Sequence, residues 1–178
     1  IMADEFVTTA EELLYNNNSK DAVRFYLNSL LVKRLNPKAL KGLGKAYRVL
    51  KNFDKAIASL EKAKELMPFD EEIYSELGIS YLGKGDFCSA VKNFIKAIKI
   101  NPENTDAQIQ LAVTHEIMGE EDMAIKIYQK ITETNPDCEK AYPDKRAEVP
   151  FYLSVVVQRC FYRNPGIRLP VSCSRSSS

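Results

Sequence analysis

Four cations recur along one short stretch, Lys38, Lys41, Lys45 and Arg48, at steps of three, four and three residues. On a helix those steps share one face, where they would attract carboxylates. Helices also expose lysines to water as a matter of course, so the stripe alone reads equally well as a solvated face. Covalent chemistry finds less support. Nucleophilic catalysis needs a base beside the nucleophile, most often histidine, and His115 is the single histidine of the chain. The pairs Gly42-x-Gly44 and Gly83-x-Gly85 lack the strand, spacing and lysine of a phosphate-binding loop. Glu11-Glu12, Glu71-Glu72 and Glu120-Glu121 are sequence neighbours that point apart on a helix, which suits helix-start charge or a solvated face. Cys88, Cys138, Cys160 and Cys173 have neither short pairing nor metal-ligand spacing, as expected for reduced thiols of an intracellular, cytoplasmic protein. The expectation is a chain with no catalytic residues, no metal and no cofactor.

The elements that would position the cations announce themselves by a period. Pro68, Pro102 and Pro136 stand 34 residues apart. Ahead of Pro102 come Tyr74, Leu77-Gly78, Tyr81, Ala90, Phe94 and Ala97. The same offsets ahead of Pro68 fall on Leu40, Leu43-Gly44, Tyr47, Ala56, Leu60 and Ala63, and ahead of Pro136 on Leu111-Ala112, His115, Ala124, Tyr128 and Ile131. A glycine inside a helix costs about 1 kcal/mol against alanine, so Gly44, Gly78 and Ala112 predict a second helix passing close, with Ala56, Ala90 and Ala124 as the facing contacts. The large residues fill the space on either side of that crossing. Each proline stops the second helix of its unit. Gly85 and Gly119 supply left-handed caps between helices, and Asp54 and Asp122 can cap the helices that follow. His115 stands where the neighbouring units carry Tyr47 and Tyr81, and so reads as an inter-helix filler with a satisfied nitrogen. A fainter copy upstream carries Ala10, Leu13, Ala22, Tyr26 and Ser29, with Thr9 replacing the leucine, Asn16-Asn17-Asn18 at the turn and Pro37 three residues late.

This pattern resembles the tetratricopeptide repeat. The resemblance covers roughly residues 3–142 and implies an all-α, right-handed superhelical solenoid of antiparallel helix pairs, followed by an irregular C-terminal tail. The units would be a degenerate repeat over 3–36 and repeats over 37–70, 71–104 and 105–138. The resemblance further implies that the first helices line a concave groove, with Lys38, Lys41, Lys45 and Arg48 facing it, then Ser75, Ile79 and Leu82, then Ile109, Val113 and Glu116. A partner protein or peptide with acidic residues followed by apolar anchors would suit that surface. The family's two-carboxylate clamp for chaperone tails fits only at Lys41 and Lys45. Glu76 would repel a carboxylate, and Asp106 and Gln110 replace the expected cations.

Net charge of +1, with 45% hydrophobic and 28% charged residues, describes a globular protein with no global pull on nucleic acid. The longest apolar run, residues 149–157, is about half the ~20 residues of a membrane helix and contains Pro150 and Ser154. Past Tyr142 the pattern ends. Lys145, Arg146 and Gln158 take the places due to Leu-Gly and alanine, and residues 144–178 carry +4, leaving −3 on the remainder. Residues 143–163 read as a capping helix, a strand-like segment or non-native sequence, and 164–178 as a disordered Ser-rich tail. The expected function is a non-catalytic protein-interaction scaffold. The alternatives are a small chaperone for an extended client or the targeting fragment of a larger enzyme, and open solenoid ends allow self-association.

Overall fold

The computed structural model describes residues 2–134, which form eight α-helices. They are α1 (Met2–Tyr15), α2 (Ser19–Val32), α3 (Pro37–Val49), α4 (Phe53–Leu66), α5 (Glu71–Lys84), α6 (Phe87–Ile100), α7 (Thr105–Ile117) and α8 (Glu121–Thr134). The readings for residues 143–163 and 164–178 lie outside the described residues. Among the described residues no helix is long and apolar enough to cross a membrane.

Turn chemistry sets the helix boundaries. Asn17, Lys51, Gly85 and Gly119 occupy one repeated position, and all four have positive φ, at 59°, 58°, 86° and 80°. Each reverses the chain in the same way: the amide of the next residue donates to a carbonyl five residues back, as in Asp86 N–H to Tyr81 O at 2.9 Å and Glu120 N–H to His115 O at 2.8 Å. Glycine meets the left-handed requirement in the last two turns, while asparagine and lysine bear its steric cost in the first two. Helix starts are capped by an equally regular set. Asn36, Asn52, Asp70, Asp86 and Asn104 accept from backbone amides two or three residues on. The cap of α4 is therefore Asn52 and not Asp54, which lies in the first turn and pairs with Lys84 at 2.6 Å. Asp122 likewise lies in the first turn of α8. Pro37 is a helix start, not a stop: it opens α3 directly after the Asn36 cap.

Packing repeats with the same period. Tyr26, Leu60 and Phe94 stand one unit apart and are fully buried. An added Cβ on Gly44 would come within 2.4 Å of the Leu60 side chain, and one on Gly78 within 2.5 Å of the Phe94 ring. The space opened by these glycines is thus filled by large side chains from the facing helix. Ala56 and Ala90, expected to be the contacts, are buried beside them. Tyr26 lies against Gly42, where a Cβ would meet the ring at 2.3 Å.

Polar contacts join the units. Tyr74 donates its hydroxyl to the Pro68 carbonyl at 3.0 Å, and at the same place one unit later Gln108 donates to Pro102 at 2.6 Å. In the faint first copy, Ser29 replaces the buried alanine. Its hydroxyl donates to the Ala3 carbonyl at 2.8 Å and accepts from the Asn36 amide at 3.1 Å, tying α1, the end of α2 and the cap of α3 together. These bonds satisfy polar groups that burial would otherwise penalise.

The first helices pack in succession, α1 on α3, α3 on α5 and α5 on α7, and each of α2, α4 and α6 also packs on the first helix of the next pair. The first helices therefore form the inner row of the solenoid, and α3, α5 and α7 line its concave side.

Substitutions at two glycines separate packing from backbone strain. Gly78→Ala should lower stability by about 1–3 kcal/mol through overpacking, even though helix propensity favours it by about 1 kcal/mol. Gly85→Ala, with nothing within 4 Å of the added carbon, should cost about 1–2 kcal/mol from the left-handed backbone alone. In urea denaturation, Gly78→Ala should couple with Phe94→Leu, whereas Gly85→Ala should be additive with it.

Candidate interaction site

The inner row presents two kinds of surface. On α3, Lys38 is exposed while Lys41, Lys45 and Arg48 are half-buried. On α5 and α7, Ile79, Leu82, Ile109 and Val113 are half-buried apolar side chains. Ile79 and Leu82 also rest on the core around Ala90, Phe94 and Leu111, so part of their surface joins units together. Ser75, between the two kinds of surface, has a buried hydroxyl without a hydrogen-bond partner. Glu116 is half-buried on α7.

Three of the four α3 cations are occupied. Lys41 donates to Asp70 at 2.8 Å and to Glu72 at 2.7 Å, Lys45 donates to the other oxygen of Glu72, and Arg48 pairs with Glu76 through two nitrogens. Asp70 meanwhile caps α5, accepting from the Glu72 and Ile73 amides with its second oxygen. Three cations of one first helix are thus ionic rungs to the cap and first two turns of the next. Among the described residues Lys38 makes no ion pair, so it alone of the stripe keeps its charge for something outside the array.

Titration follows from these rungs. Burial alone would raise the Glu72 carboxyl, but the hydrogen bonds from Lys41 and Lys45 and their charges outweigh it and hold the group below its ordinary 4.5. Burial would lower the Lys41 ammonium, and its bonds to Asp70 and Glu72 outweigh that and raise it above 10.5.

Other candidates resolve into structure. His115 is buried, and its Nδ1 lies 2.6 Å from a Glu120 carboxylate oxygen, stitching the end of α7 to the turn that follows. No group of three metal-ligating side chains is found among the described residues. One feature escaped the sequence reading: α1, α2 and α3 surround a cavity of about 460 Å³ lined in part by Glu11, Leu14, Tyr15 and Tyr26. The first glycine of the Gly42-x-Gly44 pair was the available signal, because residues two apart point to nearly opposite helix faces, and a small residue at Gly42 implies a second large side chain lying against α3.

The rungs make a signed prediction. A lowered folded pKa contributes stability that is complete above 4.5 and is lost as pH falls through the folded value of Glu72. The raised Lys41 contributes stability that is complete below 10.5 and is lost as pH rises through its folded value. Glu72→Gln should therefore flatten the acid limb of a stability-versus-pH curve. At neutral pH it should cost only about 0.5–1 kcal/mol, since the carboxylate is half exposed to water and its pairs are screened. Thermal melts at low and high salt would check both.

Comparison with known proteins places this geometry. The chain matches the tetratricopeptide repeat family over residues 37–70 and again over 81–147. No curated protein matches it at a significant level. Its structure is similar to the crystal structure of MamA, with a TM-score of 0.72 at 22% identity, covering 78% of this chain and 81% of that one. It is also similar to the first tetratricopeptide domain of human RPAP3, with a TM-score of 0.64 at 19% identity, over 67% of this chain and 94% of that one. The corresponding domain of Spaghetti (RPAP3), bound to the HSP90 peptide SRMEEVD, gives a TM-score of 0.64 at 19% identity over 66% and 94%. At these identities the likeness is one of fold. The all-helical array, the 34-residue period and the family matches agree, and the chain belongs to the tetratricopeptide repeat family.

Proposed function

We propose that this protein is a non-catalytic interaction scaffold that takes a partner polypeptide along its concave face. The observation that carries the reading is the row of half-buried apolar side chains on the inner helices, Ile79 and Leu82 on α5 and Ile109 and Val113 on α7. Such groups gain from further burial against a partner without having to be desolvated from a fully hydrated state. The Spaghetti (RPAP3) domain bound to a peptide supports peptide capture as a use of this fold. The partner segment in this reading carries acidic residues toward Lys38, Lys41, Lys45 and Arg48 and apolar anchors toward α5 and α7. Because Glu72 and Glu76 already engage three of those cations, an acidic partner meets Lys38 first and reaches the others by exchange with internal carboxylates. The cations then act more on encounter rate and register than on affinity.

A second reading is favoured by a different surface. Leu31, Leu35 and Phe69 are 85%, 65% and 80% exposed, and apolar groups left in water suit a chaperone that shields an extended client. Stoichiometric suppression of the aggregation of an unfolded client would support this reading; an interaction scaffold alone should show none.

Site-directed photo-crosslinking tests the first reading. A photoreactive amino acid at Val113 should form an adduct with a partner from source lysate, and the same probe at Lys62 on the outer row should not. Adducts from Lys62 alone, or equal adducts from both, would sink the concave-face assignment.

A further inference from the structure

The cavity between α1, α2 and α3 is built as a pocket with a polar floor. Tyr15, at its mouth, is 89% exposed, whereas Tyr26, at its floor, is 1% exposed. The Tyr26 ring lies over Gly42, which also lines the cavity, so the hydroxyl sits beside α3 and not in the packed interior. Packing does not require that oxygen, since the same buried position is filled by Leu60 and Phe94 one and two units later and by a tyrosine again only at Tyr128. Among the described residues the hydroxyl makes no hydrogen bond. The hydroxyl is not sealed from solvent, so it opens onto the cavity it lines, where an acceptor arriving from outside can replace water as its partner.

The surrounding chemistry says what kind. Burial, and after it the charge of Glu11, pushes the Tyr26 phenol up to about 12, so at neutral pH it is a proton donor and wants an acceptor. Lys38 is the cation of the lining without an ion pair, and Lys41 and Lys45 lie beyond it with their charge shared with Asp70 and Glu72. Leu14 and the Tyr15 ring offer apolar wall near the mouth. Glu11 is a like charge that works against an anion.

We propose that this cavity holds one glutamate side chain of the partner polypeptide, its carboxylate accepting from the Tyr26 hydroxyl and the Lys38 ammonium and its aliphatic stem lying on Leu14 and Tyr15. A hydrocarbon stem ending in a carboxylate matches an apolar mouth over a donor floor, which a chain-end carboxylate, attached directly to backbone, does not. The inference rests on the reading of the array as a peptide-binding scaffold. It makes Tyr26, which the periodic pattern uses for packing, a specificity-determining residue.

Fluorescence anisotropy of the full chain with a labelled, C-terminally amidated heptapeptide, one central glutamate among leucines and alanines, tests it. Changing that glutamate to glutamine should weaken binding by at least about tenfold, as expected for a charge-assisted hydrogen bond. Tyr26→Phe should weaken the glutamate peptide similarly, leave the glutamine peptide unchanged and leave the thermal midpoint unchanged, because the ring still covers Gly42. Lys38→Met should reduce the salt dependence of binding, and Glu11→Gln should strengthen it. Equal binding of the glutamate peptide to wild type and Tyr26→Phe would overturn the proposal, as would equal binding of the two peptides. A glutamine peptide with a free C-terminus that binds as well as the amidated glutamate peptide would overturn it in favour of a chain-end carboxylate. If any of these results comes with crosslinking at Val113 intact, the pocket assignment fails alone. Absence of both peptide binding and the Val113 adduct would remove the scaffold reading with it.

Discussion

The contact on which the rest of the array depends is a large side chain lying on a glycine. Leu60 on Gly44 and Phe94 on Gly78 bring the two helices of a pair within a distance that no Cβ at the glycine would allow. Once that spacing is set, the turn between the helices must be short, which demands a left-handed residue, and the next helix must start at once, which demands a side-chain cap. In these two pairs the positive-φ residue and the Asx cap that follows it, Lys51 with Asn52 and Gly85 with Asp86, meet that demand. Each pair buries only one side of itself, so it requires the next pair, and the array grows by stacking.

Stacking creates the surface available for recognition and also consumes part of it. The inner helices are close enough for α3 to reach α5, and the lysines and arginine of α3 find carboxylates there. An ionic rung of this kind is worth little energetically when half exposed. Its effect is to fix register and to lower the net charge that an external partner meets. Charge that reads as a binding stripe on one helix becomes, after stacking, mostly internal, and Lys38 and the floor of the α1–α3 cavity are left with unspent polar capacity.

Legibility from sequence follows the range of the interaction. The period, the prolines, Gly85 and Gly119, and the packing role of His115 are all readable because they depend on residues within one helix pair and recur. The caps were partly misread: Asp54 and Asp122 are good capping types, but Asn52 stands at the helix boundary and takes the bond. Ala56 and Ala90 were expected to face the glycines, yet the larger residue one turn on, Leu60 or Phe94, reaches into that space. Periodicity alone cannot choose between neighbours on the same helical face, since the direction in which a side chain leans decides it.

Sequence by itself determined that this chain forms paired helices and which residues are small at the crossings, because these are set by local backbone preferences and by a pattern repeated every 34 residues. Tertiary structure alone decided which charges remain available. Lys41 meets Asp70 and Glu72 across 29 and 31 residues, and Tyr26 turns its hydroxyl to a cavity shared by three helices. Both depend on how successive pairs are rotated against each other. That rotation is a sum of many contacts between units, and no single stretch of sequence carries it.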